Sequence, residues 1–436
     1  MKKYIKITAV LAALFTMMSF SSCAQPQEST ASLNSSSDIS TNVSEYPSSS
    51  SELSSHESSS DLSSIISKIE SSKPSSKPPS SKPASSKPNS SKPAPSKPVS
   101  SNPKQENNIT HAQMKAVWIA FLEFDSFKGS SADAFRSRIQ LYYNTAVSKG
   151  LNTVIVQVRP HGDSMYPSQY YPWSKHASGT VGAKVDYDPL AIMVEEAHNR
   201  SLEIHAWINP YRTMNDAEFA LVDNSFPTKA WYSSEKRDQY MIKSNDGRWW
   251  LKPGNKEVQQ LIINGSNEMV KNYKIDGVHI DDYFYNDSPS AYGDTAAQAK
   301  ANTTAMVKGL YDGMKSINPK ARFGVSPAGA FRAANKLPSS DMGNLSTDLA
   351  KWCSQPGYID YVMPQIYWDY NHSVQPYTMT LNKWENFVTC DSVALYIGLA
   401  PYRLSNDVIN QQIKDAMASN RASGYCLFRY DHILGL

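Results

Sequence analysis

From Met114 onward, apolar runs of strand length alternate with longer stretches of helical period, and few folds accept that alternation. Apolar runs without polar interruption belong to strands buried on both faces, the condition of a parallel sheet covered by helices. The pattern predicts strands at Ala116–Leu122, Thr153–Val158, Glu203–Ile208, Gly277–Asp281, Arg322–Ser326, Tyr361–Ile366, Ala394–Leu399 and Tyr425–Arg429. Helices are expected between them, at Ala132–Lys149, Pro189–Arg200, Lys256–Tyr273, Thr295–Ile317, Ser346–Cys353, Thr380–Val388 and Asn406–Ser423. Lys149-Gly150, Asn199-Arg200 and Ser423-Gly424 then serve as helix C-caps, where Gly or Asn is favoured.

Eight strand–helix steps in about 320 residues fit a (β/α)8 TIM barrel better than an open doubly wound sheet. No GxGxxG follows the first strand, which argues against a dinucleotide fold. The domain is expected to run over residues 111–436, with an eighth helix that is very short or missing.

The N-terminal part has a different composition. Lys2, Lys3 and Lys6 precede an apolar run from Ile7 to Phe20, too short for a comfortable membrane span. Small residues then lead to Cys23, in the manner of a bacterial lipobox, so residues 1–23 read as a lipoprotein signal peptide with Cys23 as the lipidated residue. Residues 24–110 are rich in Ser, Pro and Lys, with SSKP repeats and almost nothing apolar to bury. Such a segment cannot offset the entropy of ordering and is expected to be a disordered tether. At roughly 3.1 Å per residue, some 85 residues reach about 260 Å when fully extended. The expected location is outside the cell, lipid-anchored to the outer face of its membrane.

The formal net charge of +3 is too mild for a nucleic-acid surface. Cys353, Cys390 and Cys426 follow neither a CxxC nor a Cys/His pattern, so one bridge plus a thiol and three thiols both remain open.

In a TIM barrel the chemistry gathers at the C-terminal ends of the strands. Those ends carry Glu123, Arg159, His161, Asn209, Tyr211, Arg212, His279, Asp281, Asp282, Tyr283, Gln365, Tyr367, Asp369, Tyr402, Arg403 and Arg429, while the opposite ends are blander. Strand alternation puts His279, Asp281 and Tyr283 on one face and turns Asp282 to the other. Asp281 is the first candidate acid, Asp369 its expected partner across the mouth, and Asp282 and Glu123 the further candidates. Paired carboxylates are the apparatus of glycoside hydrolysis. Trp207, Tyr283, Tyr367, Trp368 and Tyr402 belong to an aromatic excess suited to stacking on sugar faces, at least half of which is expected to be structural. The remaining rim polar residues are candidate substrate contacts. A calcium or magnesium site on Asp281 and Asp282 has no EF-hand loop or His-rich set behind it, and neither metal nor other cofactor is expected.

Six segments in order, KAVWIAFLEFDS, NTVIVQVRPHGDSMYPSQYYPWSKHASG, EIHAWINPYR, GRWWLKPGN, IDGVHIDDYFY and IDYVMPQIYWD, resemble the successive motifs of the glycosyl hydrolase-like 10 family. The resemblance covers about Met114 to Tyr430. It implies a TIM-barrel glycosidase, often a bacterial lipoprotein, of a family associated with cutting peptidoglycan glycan strands stripped of stem peptides. DGVHIDD also resembles the strand-four motif of α-amylase-like barrels, in which the acid at Asp281's position is the nucleophile. Ala328 and Gly329 stand where that pattern has its strand-five glutamate. The expectation is therefore a membrane-tethered hydrolase of wall glycan, with another polysaccharide as substrate or a non-catalytic glycan-binding barrel as the alternatives.

Overall fold

The strand-length runs form a closed barrel of eight parallel strands in a computed structural model that describes residues 111–332, 336–341 and 346–436. The expected signal peptide, the tether and Cys23 lie outside the described residues. The strands are β1 (Met114–Ile119), β2 (Thr153–Arg159), β3 (Glu203–Ile208), β4 (Gly277–Ile280), β5 (Arg322–Val325), β6 (Tyr361–Val362), β7 (Ala394–Leu399) and β8 (Ala422–Leu427). Each pairs with its sequence neighbours, and β1 closes the ring by pairing with β8, Met114 opposite Gly424.

Helices α1 (Ala132–Ser148), α2 (Pro189–His198), α3 (Lys256–Asn272), α4 (Ala296–Ile317), α5 (Leu349–Trp352), α6 (Tyr377–Phe387), α7 (Asn406–Ala418) and α8 (Tyr430–Ile433) follow β1 to β8 in turn. Their starts are chemically marked. Ser131, Asp188, Asn255, Thr295 and Ser405 accept hydrogen bonds from backbone amides of the first turn and so satisfy donors that the helix leaves unpaired. The eighth helix is the expected short one, four residues long. Its Tyr430 packs on Tyr142 of α1, ring centroids 4.0 Å apart.

Two hydrophobic layers result. Outward-facing strand residues pack under the helices, while Ala116, Trp118, Ile155, Trp207, Met363, Tyr396 and Cys426 fill the barrel interior. All three described cysteines are buried free thiols.

Several boundaries differ from expectation. β1 stops at Ile119, and Phe121–Phe124 form a helical turn, so Glu123 does not lie on a strand. α5 keeps only four residues of the expected helix, and α6 begins three residues early. Ser423-Gly424 is not a cap, because α7 ends at Ala418 and Gly424 lies inside β8. There φ is 148°, and a Cβ would stand 1.8 Å from the Met114 carbonyl oxygen, so the barrel seam needs glycine. The long segment after β3 folds into a three-stranded sheet of Arg212–Asn215, Met241–Lys243 and Arg248–Leu251, which the apolar pattern did not reveal.

Candidate active site

The mouth of the barrel is organised by amides. Phe121 N–H donates to Gln157 Oε1 at 3.1 Å, which fixes the Gln157 side-chain amide. Gln157 Nε2 donates to Asn209 Oδ1 at 2.5 Å, and Arg212 Nη2 donates to the same oxygen at 3.2 Å. With its oxygen so occupied, Asn209 turns Nδ2 toward Asp281 and donates to both carboxylate oxygens, at 2.7 and 2.8 Å. Trp207 Nε1 adds a bond at 3.2 Å, and the Tyr283 amide another at 3.3 Å. Asp281 is only 6 % exposed. Burial pushes its pKa above the ordinary carboxylate range, opposed by the Arg212 charge and by these donors.

Asp282 does not turn away. Asp282 lies past Ile280, the last residue of β4, where strand alternation no longer holds, and its carboxylate is near Gln365 beyond β6. Burial and the adjacent Asp281 charge both push its pKa up. The two acids share one environment with unequal support. Asp281 has several donors and a cation, whereas Asp282 has Gln365 and a neighbouring negative charge. The donors and the Arg212 charge favour the ionised form of Asp281 over that of Asp282.

The other expected acids have different surroundings. Asp369 accepts from the Asn371 amide at 3.0 Å, and its contacts lie in the turn leading to α6 rather than with Asp281. Glu123 is buried, pairs with Arg429 and accepts from the Ala120 amide at 2.7 Å. Burial pushes its pKa up to about 7, against the pull of Arg429.

Several expected substrate contacts prove to be packing residues. Arg159, the last residue of β2, packs its guanidinium 4.2 Å from the centroid of the Tyr171 ring and is 1 % exposed. The irregular register between Gln157 and Arg159 breaks the alternation that would have aimed it inward. Tyr211 is wholly buried beside the three-stranded sheet. His279 is also wholly buried, one layer below the mouth. It accepts from Trp118 Nε1 at 3.2 Å and faces the Tyr361 hydroxyl at 3.0 Å, which in turn faces His205 Nδ1 at 2.9 Å. Because Trp118 Nε1 can only donate, His279 carries its proton on Nδ1 and Tyr361 donates onward to His205. Burial pushes the His279 pKa down to about 3, so this polar chain through the barrel is neutral.

Other residues do reach the rim. Arg212 donates Nε to the Pro160 carbonyl at 3.0 Å and lies 4.9 Å from the centroid of the Tyr283 ring, which Trp250 backs at 6.0 Å. His161 stands edge-on to Phe121 at 4.9 Å and close to His176, with burial pushing its pKa well down. Tyr367, Tyr402 and Phe428 form a trio of rings with centroids 5.9 to 6.2 Å apart. Tyr402 and Arg403 are exposed, and Trp368 lies partly exposed beside His372. Phe121, His176 and Phe428 were not among the candidates. Phe121 and Phe428 lie at the mouth ends of apolar runs, where they read as core, and the fold alone brings His176 to Phe121. Of the aromatic excess, Tyr166, Tyr171, Trp207, Tyr211, Trp249, Trp250 and Tyr285 are buried.

The site thus brings two adjacent acids to a barrel mouth that also carries several rings, an arrangement able to hold a sugar and move a proton. Residues 113–415 match the model of the family described as glycosyl hydrolase-like 10. The chain is similar to the glycosyl hydrolase YngK of Bacillus subtilis, 34 % identical over 323 residues, covering 68 % of this chain and 62 % of that one. It thus spans less than two thirds of that relative's length. It is 31 % identical over 367 residues to the glycosyl hydrolase DigH of Escherichia coli K12, covering 73 % of this chain and 83 % of the relative. Among solved structures, the glycoside hydrolase domain of PgaB (BpsB) from Bordetella bronchiseptica shares the fold, with a TM-score of 0.52 and 11 % identity, over 74 % of this chain and 95 % of that one. Motifs, barrel and family match converge: the chain belongs to the glycosyl hydrolase-like 10 family and is by family a glycoside hydrolase.

Proposed function

We propose that this chain is an exported hydrolase of cell-wall glycan that cuts peptidoglycan strands, held to the outer face of the membrane by lipid on Cys23. The observation that carries the reading is the pairing of Asp281, held by Asn209 and Trp207, with Asp282 beside it at the barrel mouth. In this reading Asp281 works ionised. Asp282 gives a proton to the departing glycosidic oxygen and later takes one from the attacking water. Tyr283, Tyr367, Trp368 and Tyr402 offer ring faces to the sugars, while Arg212, Arg403 and Gln365 offer polar contacts around them. The Ser/Pro/Lys segment supports the location, because about 260 Å of reach suits a substrate within a thick wall. The family's association with stripped wall strands supports the substrate.

The test is incubation of the purified chain with peptidoglycan strands freed of stem peptides and, in parallel, with neutral glucans. New reducing ends from the stripped strands alone are expected. Equal or preferential cleavage of the glucans contradicts the wall assignment. Tight binding with no cleavage of either contradicts the catalytic one.

A further inference from the structure

The two acids at the mouth are consecutive residues of one strand end. Asp281 leans toward Asn209 and Trp207 of the β3 side, and Asp282 toward Gln365 beyond β6. A mechanism that uses two enzyme carboxylates needs them on opposite sides of the breaking bond. The separation is about 5–5.5 Å for nucleophile and acid, or about 6.5–9.5 Å for base and acid. Consecutive residues have Cα atoms about 3.8 Å apart, so both acids rise from one edge of the mouth rather than from facing edges. The other rim acids are committed elsewhere. Glu123 pairs with Arg429, Asp125 with His176 and Lys128, Asp163 accepts from the His161 amide, and Asp369 closes its own turn. A second carboxylate for the opposite face is therefore missing among the described residues of this mouth.

We propose that the substrate supplies the nucleophile itself, through the carbonyl oxygen of a 2-acetamido group on the sugar whose bond is cut. Asp281 receives the acetamido N–H, and Asp282 protonates the departing oxygen. The inference rests on the glycosidase reading above and narrows its substrate to 2-acetamido glycosides. In the first step the acetamido oxygen bonds to the anomeric carbon as the glycosidic C–O bond breaks. The bonding pair leaves with the glycosidic oxygen, which takes the proton of Asp282, while the acetamido nitrogen passes its proton to Asp281 and a neutral oxazoline forms. In the second step water attacks the anomeric carbon and gives a proton to the Asp282 carboxylate. The ring C–O bond opens, and Asp281 returns its proton to the nitrogen. One water is consumed, and the anomeric configuration is retained.

The geometry suits these roles. A buried carboxylate with fixed donors from Asn209 and Trp207 is held in place to orient an amide and to stabilise the charge that builds on it. Gln365 is itself anchored, donating Nε2 to the Ser326 carbonyl at 2.9 Å, and Asp282 near it is partly exposed, so its proton can reach a bound glycosidic oxygen.

The test uses the full chain and two preparations of stripped glycan strands. One is fully N-acetylated, and the other is de-acetylated and re-acylated with trifluoroacetyl groups, whose carbonyl oxygen is a far poorer nucleophile. Loss of the intramolecular nucleophile is expected to lower kcat by about 10²-fold or more with little change in KM, and NMR of the first product is expected to show retained configuration. Equal kcat on the two preparations, or an inverted first product, overturns substrate participation and leaves the glycosidase reading standing. Failure to cut the acetylated strands overturns both.

Discussion

Asp281 and Asp282 differ less in identity than in the donors each receives, and that difference sets their protonation. A working pair needs Asp281 ionised and Asp282 protonated, so activity is expected to follow a bell-shaped pH profile. Because burial raises both groups, the acidic limb should lie above the ordinary aspartate value of about 3.9. Asn209→Ala tests the assignment. Removing two hydrogen bonds to the charged form of Asp281 raises its pKa further, so the acidic limb should move to higher pH, and kcat should fall about 10²–10³-fold. An unmoved limb would show that Asp281 is not the group titrating there. At this scale the sequence was legible for residue types and for the place of Asp281 at the end of β4. It turned Asp282 away because alternation was extended past Ile280, the last residue of β4, and it aimed Arg159 inward across an irregular register that no composition signal marks. His279 shares its face with Asp281, as alternation predicts, but one layer lower, which places it in the neutral chain with Trp118 and Tyr361.

At the scale of elements, the barrel strands were legible because each is a buried apolar run with few competing readings. The short elements were not. The sheet that carries Arg212 pairs residues distant in sequence, and its strands hold three or four residues each, too few for a period to show. The barrel interior also sets narrow steric limits. At Gly324 of β5 an added Cβ would meet the Tyr361 ring at 1.9 Å. Gly324→Ala is therefore expected to displace Tyr361 and disturb its bonds to His205 and His279, costing about 1–3 kcal/mol as an overpacked core does. Thermal unfolding measures it, and a Tm equal to that of the unsubstituted chain would mean that the ring has room to move.

For the whole molecule, the proposed anchor and tether give the barrel its place of work. Cys23→Ser should move the protein from the membrane fraction to the soluble one in fractionated cells, while the purified barrel keeps its catalytic rate. Retention in the membrane fraction would point to another means of attachment. The catalytic roles are tested most directly by the rate of reducing-end release from stripped peptidoglycan strands by the unsubstituted chain and by Asp281→Asn, Asp282→Asn and Asp369→Asn, each first shown to be folded. Losses of about 10²–10⁴-fold are expected for Asp281→Asn and Asp282→Asn, with a nearly unchanged rate for Asp369→Asn. Loss of activity in Asp369→Asn with Asp282→Asn still active would contradict these roles.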